Sequence, residues 1–485
     1  MKDCFACRAG THSLGQRSLF RDDSSAIIPF LASNSPFLMS LGASRLKQAA
    51  FAFLLLIAAC IALVSCGSNY SATGLSPTQA NPATIKVHVF VSNPLFPNGT
   101  STAAVLNVVD GQTDLLSPSV ISVGSASPQP GMMVLFPNKS FTLIYSASNN
   151  AIALINNASQ KLSQDSAGNT AILTLPGFTE SVVIAPDNVT GFAAVPNATV
   201  TPGTGQPPGL LEVMDLKNNL ITAGVPVIGA HYLAQSHNGN RLLVLGSRTD
   251  TVTMIAPSAV GTSTDPRTDI QSPLFDHPVW AIFSEDDSTA YILNCGPECG
   301  GTTASVTMLD VNSNLVGPTI PVDAATFGLL SGNTLYVAGT KPGANTCAGT
   351  TTLATACGEV STIDLVALTV GNTATITDGY HNHMEMGPNG QLFIGARTCT
   401  NINSAASGST PGEVRGCLSI FDTKKAAAVI PPNIGDVTGI QPIGRRNVVY
   451  VVQNANLHIY DTTTDKLQST QVDIVGQAVD VKQVD

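Results

Sequence analysis

The feature that most constrains this chain is a phrase that recurs about every fifty residues from residue 85 onward. An apolar run leads into a Ser/Pro-x-Asn/Asp-Gly-like turn. A run rich in Leu, Tyr and Val follows, and after a loop comes a third run that often ends in Asp. "YLAQSHNGNRLLVLGSRTDTVTMIA" (232–256) is one copy. Aligning the turn residue gives Pro137, Pro186, Ser236, Ser284, Ser331, Pro388 and Pro442, separated by 49, 50, 48, 47, 57 and 54 residues. Period-two alternation marks the runs as strands, and the Asn/Gly turns mark hairpins. Four strands per unit at this period predict an all-β β-propeller. Residues 85–124 supply three strands with no leading one, and "GQAVDVKQV" (476–484) supplies a leading strand with nothing after it. Paired, these chain ends complete one blade. Seven aligned turns plus the shared blade give about eight four-stranded blades, with seven as the alternative if one unit is degenerate.

The phrases "NTLYVAGT" (333–340) and "NVVYVVQNANLHIYDTTTDKL" (447–467) resemble the YVTN-type β-propeller repeats of bacterial surface and periplasmic proteins. The resemblance spans most of 85–485 and implies a fold. It implies little about function, because such rings host enzymes, binders and scaffolds alike.

Arg45 and Lys47 precede the apolar run "AAFAFLLLIAACIAL" (49–63), which ends at Leu63-Val64-Ser65-Cys66. This is the build of an export signal, and the run is shorter than the ~20 residues of a membrane span. The ending resembles the bacterial lipobox, which implies that Cys66 is acylated and becomes the first residue of a lipoprotein. Gly67 after it resembles outer-membrane sorting. The expected organisation is a mis-called or disordered extension (1–38), a signal peptide starting at Met39 (39–65), lipidated Cys66 with a flexible linker (66–84), and the propeller (85–485). The localisation expected is the cell envelope, on the periplasmic or surface face. Residues 1–65 hold six Lys+Arg and three Asp+Glu, which leaves 16 basic and 29 acidic residues, net −13. So acidic a body argues against nucleic acid as a partner. The expected partners are the membrane, through the anchor, and a protein or small-molecule ligand that the sequence does not identify.

Six cysteines follow Cys66. Cys295 with Cys299, Cys347 with Cys357, and Cys399 with Cys417 fall at or around the loop between second and third strands of three consecutive blades. Export permits disulfides, so three loop-local bridges are expected, in preference to a thiolate metal site. They brace one rim, where binding surfaces usually form.

Histidines gather at another point of the repeat. Counted back from the aligned turn, His231 and His383 both lie five residues before it, and His277 and His381 both lie seven before it. These positions begin the innermost strands, near the axis. Glu385 follows on the side of His383, and Asp480 matches in the closing blade. A ring of His231, His277, His381 and His383 with Glu385 has the chemistry of a zinc or copper site, or of general acid–base catalysis. Histidines that only bond neighbouring loops explain the pattern equally simply. Trp280, four before its turn, reads as an inter-blade packing residue. No nucleophile elbow, phosphate loop, His-Glu-x-x-His or EF-hand ladder occurs in the sequence. The function expected is therefore a lipid-anchored binding or scaffold module acting through its loop-bearing face, without a cofactor. The alternative is a propeller enzyme, a lactonase-like hydrolase or metal-dependent oxidoreductase, using the histidine-rich axial site.

Overall fold

The computed structural model describes residues 79–98, 101–124, 131–165, 168–200, 207–246, 249–346, 353–400 and 415–485. The expected extension, signal peptide, Cys66 and most of the linker lie outside the described residues. The last linker residues belong to the body. Ala80 is buried and its N–H donates to the Leu116 carbonyl (3.0 Å), and a short 3-10 turn, Pro82–Thr84, follows it. Ala80 and Ile85 fill the edge of the cluster built by Leu106, Ile121 and Val123, which draws the chain in before residue 85.

Eight antiparallel sheets follow one another along the chain, so the protein is an eight-bladed β-propeller. Blades two to eight begin with the innermost strands Met132–Leu135, Ser181–Ile184, Ala230–Gln235, Pro278–Phe283, Phe327–Ser331, Tyr380–Met386 and Val437–Pro442. Each then runs outward through its hairpins. In blade two a short extra strand, Ile172–Thr174, pairs the third strand beside Lys161–Leu162.

The second strands of the blades are almost wholly apolar. Leu242–Gly246 and Val448–Gln453 are buried along their full length, since each strand packs a neighbouring blade on both faces. Fully burying one such Val or Leu contributes about 1.5–3 kcal/mol, and the blade-to-blade clusters repeat that gain around the ring. The Asp that closes many third strands has a local task. The carboxylates of Asp215, Asp310, Asp364 and Asp422 accept N–H bonds from residues two and three further on, which fixes the turn to the outer strand.

Blade one is shared by the two chain ends. Its strands run Leu115–Gly124, Ser101–Asp110, His88–Asn98 and, innermost, Val481–Gln483. Val89 pairs with Gln483 and Val91 with Val481. Backbone bonds extend the ladder from Ser92 to Asp480 (3.0 Å) and from Val484 to His88 (3.0 Å). Blade eight is latched to blade one by Arg446, whose Nη2 donates to Asp114 Oδ2 (2.8 Å), and by the Tyr450 hydroxyl on the same carboxylate.

Candidate functional site: the axial cavity

The backbone bond that closes the first hairpin of a blade is donated by Phe136, Ala185, Ser236, Ser284, Gly387 and Ile443. In blade four it spans Ser236 to Arg241, whereas in blade seven it spans only Gly387 to Gln391, a turn one residue shorter. Alignment on proline is therefore one residue late in blades two, three and seven and one residue early in blade eight. His231 lies five before its true turn residue, His277 seven, His381 six and His383 four. No two of the four share a position.

The residues four before the true turn form one layer. Met132, Ser181, Tyr232, Trp280, Phe327 and His383 all line a cavity of about 310 Å³ on the axis. Trp280 is thus a cavity-wall residue as well as the expected packing residue, lying against the buried cluster of Leu293, Val306 and Val337 between blades five and six. Its indole lies against the Phe327 ring, with centroids 4.3 Å apart. Met133, Val182 and Met384, which proline alignment places with it, are buried between blades, and of these Met133 and Val182 also reach the cavity lining. Gly439 is the member of this layer in blade eight. A side chain there would meet Asp480 Oδ1 at 2.8 Å, so glycine leaves room for that carboxylate.

A bulge precedes this layer in four blades. The extra residues are His231, Val279, Asn382 and Thr438, each unpaired where the register shifts. In blade seven the bulge lies among His381, Asn382 and His383, and all three line the cavity. The Asn382 amide is oriented by its neighbours. Its oxygen accepts from Arg397 Nε (3.0 Å) and Nη2 (3.3 Å), and its nitrogen donates to His383 Nδ1 (2.9 Å). His383 is consequently a neutral imidazole with its proton on Nε2. Burial, then the charges of Lys482 and Arg397, push its pKa down to about 3. His381 is held at about 4 by burial, the Thr377 backbone acting the other way, and its ring nitrogens make no well-formed hydrogen bond.

Four charged groups complete the cavity: Glu180, Arg397, Asp480 and Lys482. His231 Nε2 lies 3.6 Å from Glu180 Oε2 and holds that carboxyl below its usual range. Burial raises the pKa of Asp480, with Lys482 opposing from 3.8 Å. Asp480 Oδ2 accepts from Met133 N (2.8 Å) and its Oδ1 from Val481 N (2.7 Å). The hydroxyls of Tyr232 and Tyr380 bond each other on the same wall.

The predicted metal residues do not form one ligand set. His381 and His383 stay on the cavity wall, and His231 turns to Glu180 while its ring stacks on Tyr232. Glu385 lies beyond the cavity lining, its pKa raised by burial with Lys482 opposing. His277 is drawn out to the rim, its Nδ1 at 3.0 Å from Asp276 and 3.7 Å from Asp250. Those three are the one group of three possible ligands found within 4.8 Å among the described residues. Asp276 is already occupied there by the N–H groups of Thr302 (2.7 Å) and Thr303 (2.8 Å).

The rim is braced as the cysteine spacing predicts. Cys295–Cys299 and Cys399–Cys417 are bonded. Cys357 is disulfide-bonded too, and Cys347, its expected partner, lies outside the described residues. Residues at both bonded pairs touch the starts of innermost strands. Cys295 N donates to the His277 carbonyl (3.0 Å), and Thr400 N to Asp378 Oδ1 (2.7 Å). The short Cys295–Cys299 loop also turns Glu298 inward, where it accepts from Thr326 Oγ1 (2.5 Å) and Thr340 N (2.8 Å). Its charge acts on Tyr232 and Tyr380 of the cavity wall.

Sequence reasoning missed Glu298, Glu180, Arg397, Lys482 and the aromatic wall. Only one cue pointed to them: Tyr232, Trp280 and Phe327 recur at one distance from serine-anchored turns.

No family model matches the chain, and no curated protein matches it. Solved structures do. A structure of Kuenenia stuttgartiensis hydrazine synthase is 15% identical over 71% of this chain and 98% of that one, with a TM-score of 0.50. The dihydro-heme d1 dehydrogenase NirN, in complex with DHE, is 12% identical over 85% of this chain and 78% of that one, with a TM-score of 0.55. A functionally unknown protein from Desulfotomaculum acetoxidans DSM 771 is 16% identical over 72% of this chain and 97% of that one, with a TM-score of 0.45. At these identities what the first two share with this chain is the fold alone.

Proposed function

We propose that the chain is a lipid-anchored propeller of the cell envelope that binds a small organic ligand in its axial cavity, reached from the disulfide-braced rim. The lipobox-like ending at Cys66 and the YVTN-like phrases support the address. The observation that carries the binding role is the cavity itself. Its volume of about 310 Å³ falls at the small end of the roughly 300–1,000 Å³ usual for ligand sites. An aromatic wall of Tyr232, Trp280 and Phe327 shares it with a few polar groups in fixed orientation, the usual build of a small-molecule site.

Trp280 is the sole tryptophan, so intrinsic emission reports the cavity directly. The purified protein titrated with a broad panel of small organic molecules is expected to give a saturable change in that emission for at least one chemical class. Phe327→Ala is expected to weaken the response about tenfold, a loss of about 1.4 kcal/mol. Flat emission across the panel, with no small molecule carried by the native protein in mass spectrometry, overturns the reading in favour of a scaffold acting through its loops.

A further inference from the structure

We infer that the cavity's guest is a small organic carboxylate with a flat apolar body, its carboxylate on Arg397 and its body against Trp280 and Phe327. The inference rests on the binding role proposed above and names its ligand class.

Glu180 is answered by His231 at 3.6 Å. Asp480 is answered by two backbone N–H groups and by Lys482. Arg397 is different: among the described residues no carboxylate lies within ion-pair distance of it. Its Nε and one Nη2 hydrogen are taken by the Asn382 oxygen. A guanidinium carries five N–H donors, so the Nη1–Nη2 edge is left for a guest. That edge matches the two oxygens of a carboxylate, and paired charge-assisted bonds of this kind are the strongest a neutral-pH site offers.

The rest of the wall agrees. His381 and His383 are neutral, and Asn382 occupies His383 Nδ1, so the imidazole adds a donor at Nε2 and no competing charge. A cationic guest is poorly served: the carboxylates already have partners. The apolar side, Trp280 against Phe327 with Tyr232 next to them, suits a planar ring. An inorganic anion leaves that wall unused.

The test uses full-length protein and three probes of one shape: phenylacetate, its neutral amide, and phenethylamine. Trp280 emission is expected to titrate saturably with phenylacetate. The amide is expected to bind about ten- to a hundredfold more weakly, the range for loss of a charged hydrogen-bonded pair, and the amine more weakly still. Arg397→Gln is expected to erase the preference of acid over amide, with an unchanged melting curve as the check on folding. Amide binding equal to acid binding overturns the carboxylate while leaving the cavity a binding site. Phosphate or acetate competing as well as phenylacetate overturns the apolar body. No response to any probe overturns the proposal, and the broader panel then judges the binding role separately.

Discussion

Glu298 occupies the loop closed by Cys295 and Cys299, with one carboxylate oxygen fixed by Thr326 and the Thr340 N–H. Burial raises its pKa from 4.5 to about 7, the two hydrogen bonds working against the rise. An acid whose pKa is raised by folding binds a proton in the native state that the unfolded chain has already lost. Its contribution to stability therefore declines as pH rises from about 4.5 to about 7, and is constant above. His381 and His383 act in the opposite sense. Their folded values of about 4 and 3 lie below the ordinary 6.5, so they destabilise the fold as pH falls below 6.5. The difference between wild type and Glu298→Gln isolates the glutamate. Urea midpoints at pH 5, 6, 7 and 8 are expected to converge at the acid end and to favour the variant increasingly toward pH 8. Parallel curves exclude a proton on Glu298.

At the scale of single elements, the hairpins and their punctuation were legible and the register inside the innermost strands was not. Period-two alternation and the Asn/Gly turns placed each hairpin, because those patterns are set by local backbone preference. Two departures hid the site. The turn of blade seven is one residue shorter than that of blade four, and bulges at His231, Val279, Asn382 and Thr438 break the alternation. Each shifts a side chain by one position, so that His383 and not Met384 joins Tyr232, Trp280 and Phe327 on the cavity wall. Arg397 and Lys482 carry no local signal at all. Their place depends on which strand ends meet at the axis. The cysteine pairs, by contrast, were readable, since a short loop leaves few other partners. Replacing both Cys295 and Cys299 by alanine is expected to cost about 2 kcal/mol on the chain-entropy model, measured by denaturant unfolding. It is also expected to release Glu298, so that Tyr232 and Tyr380 no longer feel its charge and the pH slope of the previous experiment disappears. Retention of that slope shows that the loop holds Glu298 without its disulfide.

At the scale of the whole molecule, ring closure was legible because the two chain ends carry complementary parts of one blade. The joint is strong for its length: Val481 and Val484 are buried, and Asp480 bonds Ser92 of its own blade and Met133 of blade two. Deleting residues 477–485 is expected to lower Tm by roughly 5–10 °C, from the lost valine burial alone. It also bares the His88–Asn98 strand, so dimers are expected by light scattering, and a synthetic 477–485 peptide is expected to restore both Tm and monomer. An unchanged Tm shows the joint to be dispensable. The same joint sets a timetable. Ser92 and Asp480 are 388 residues apart, and at about 5–20 residues per second of translation the first blade waits roughly 20–80 s for its last strand. During that interval its open flank is a liability that the growing chain has to have shielded, and damage to the last few codons is felt first at the molecule's beginning.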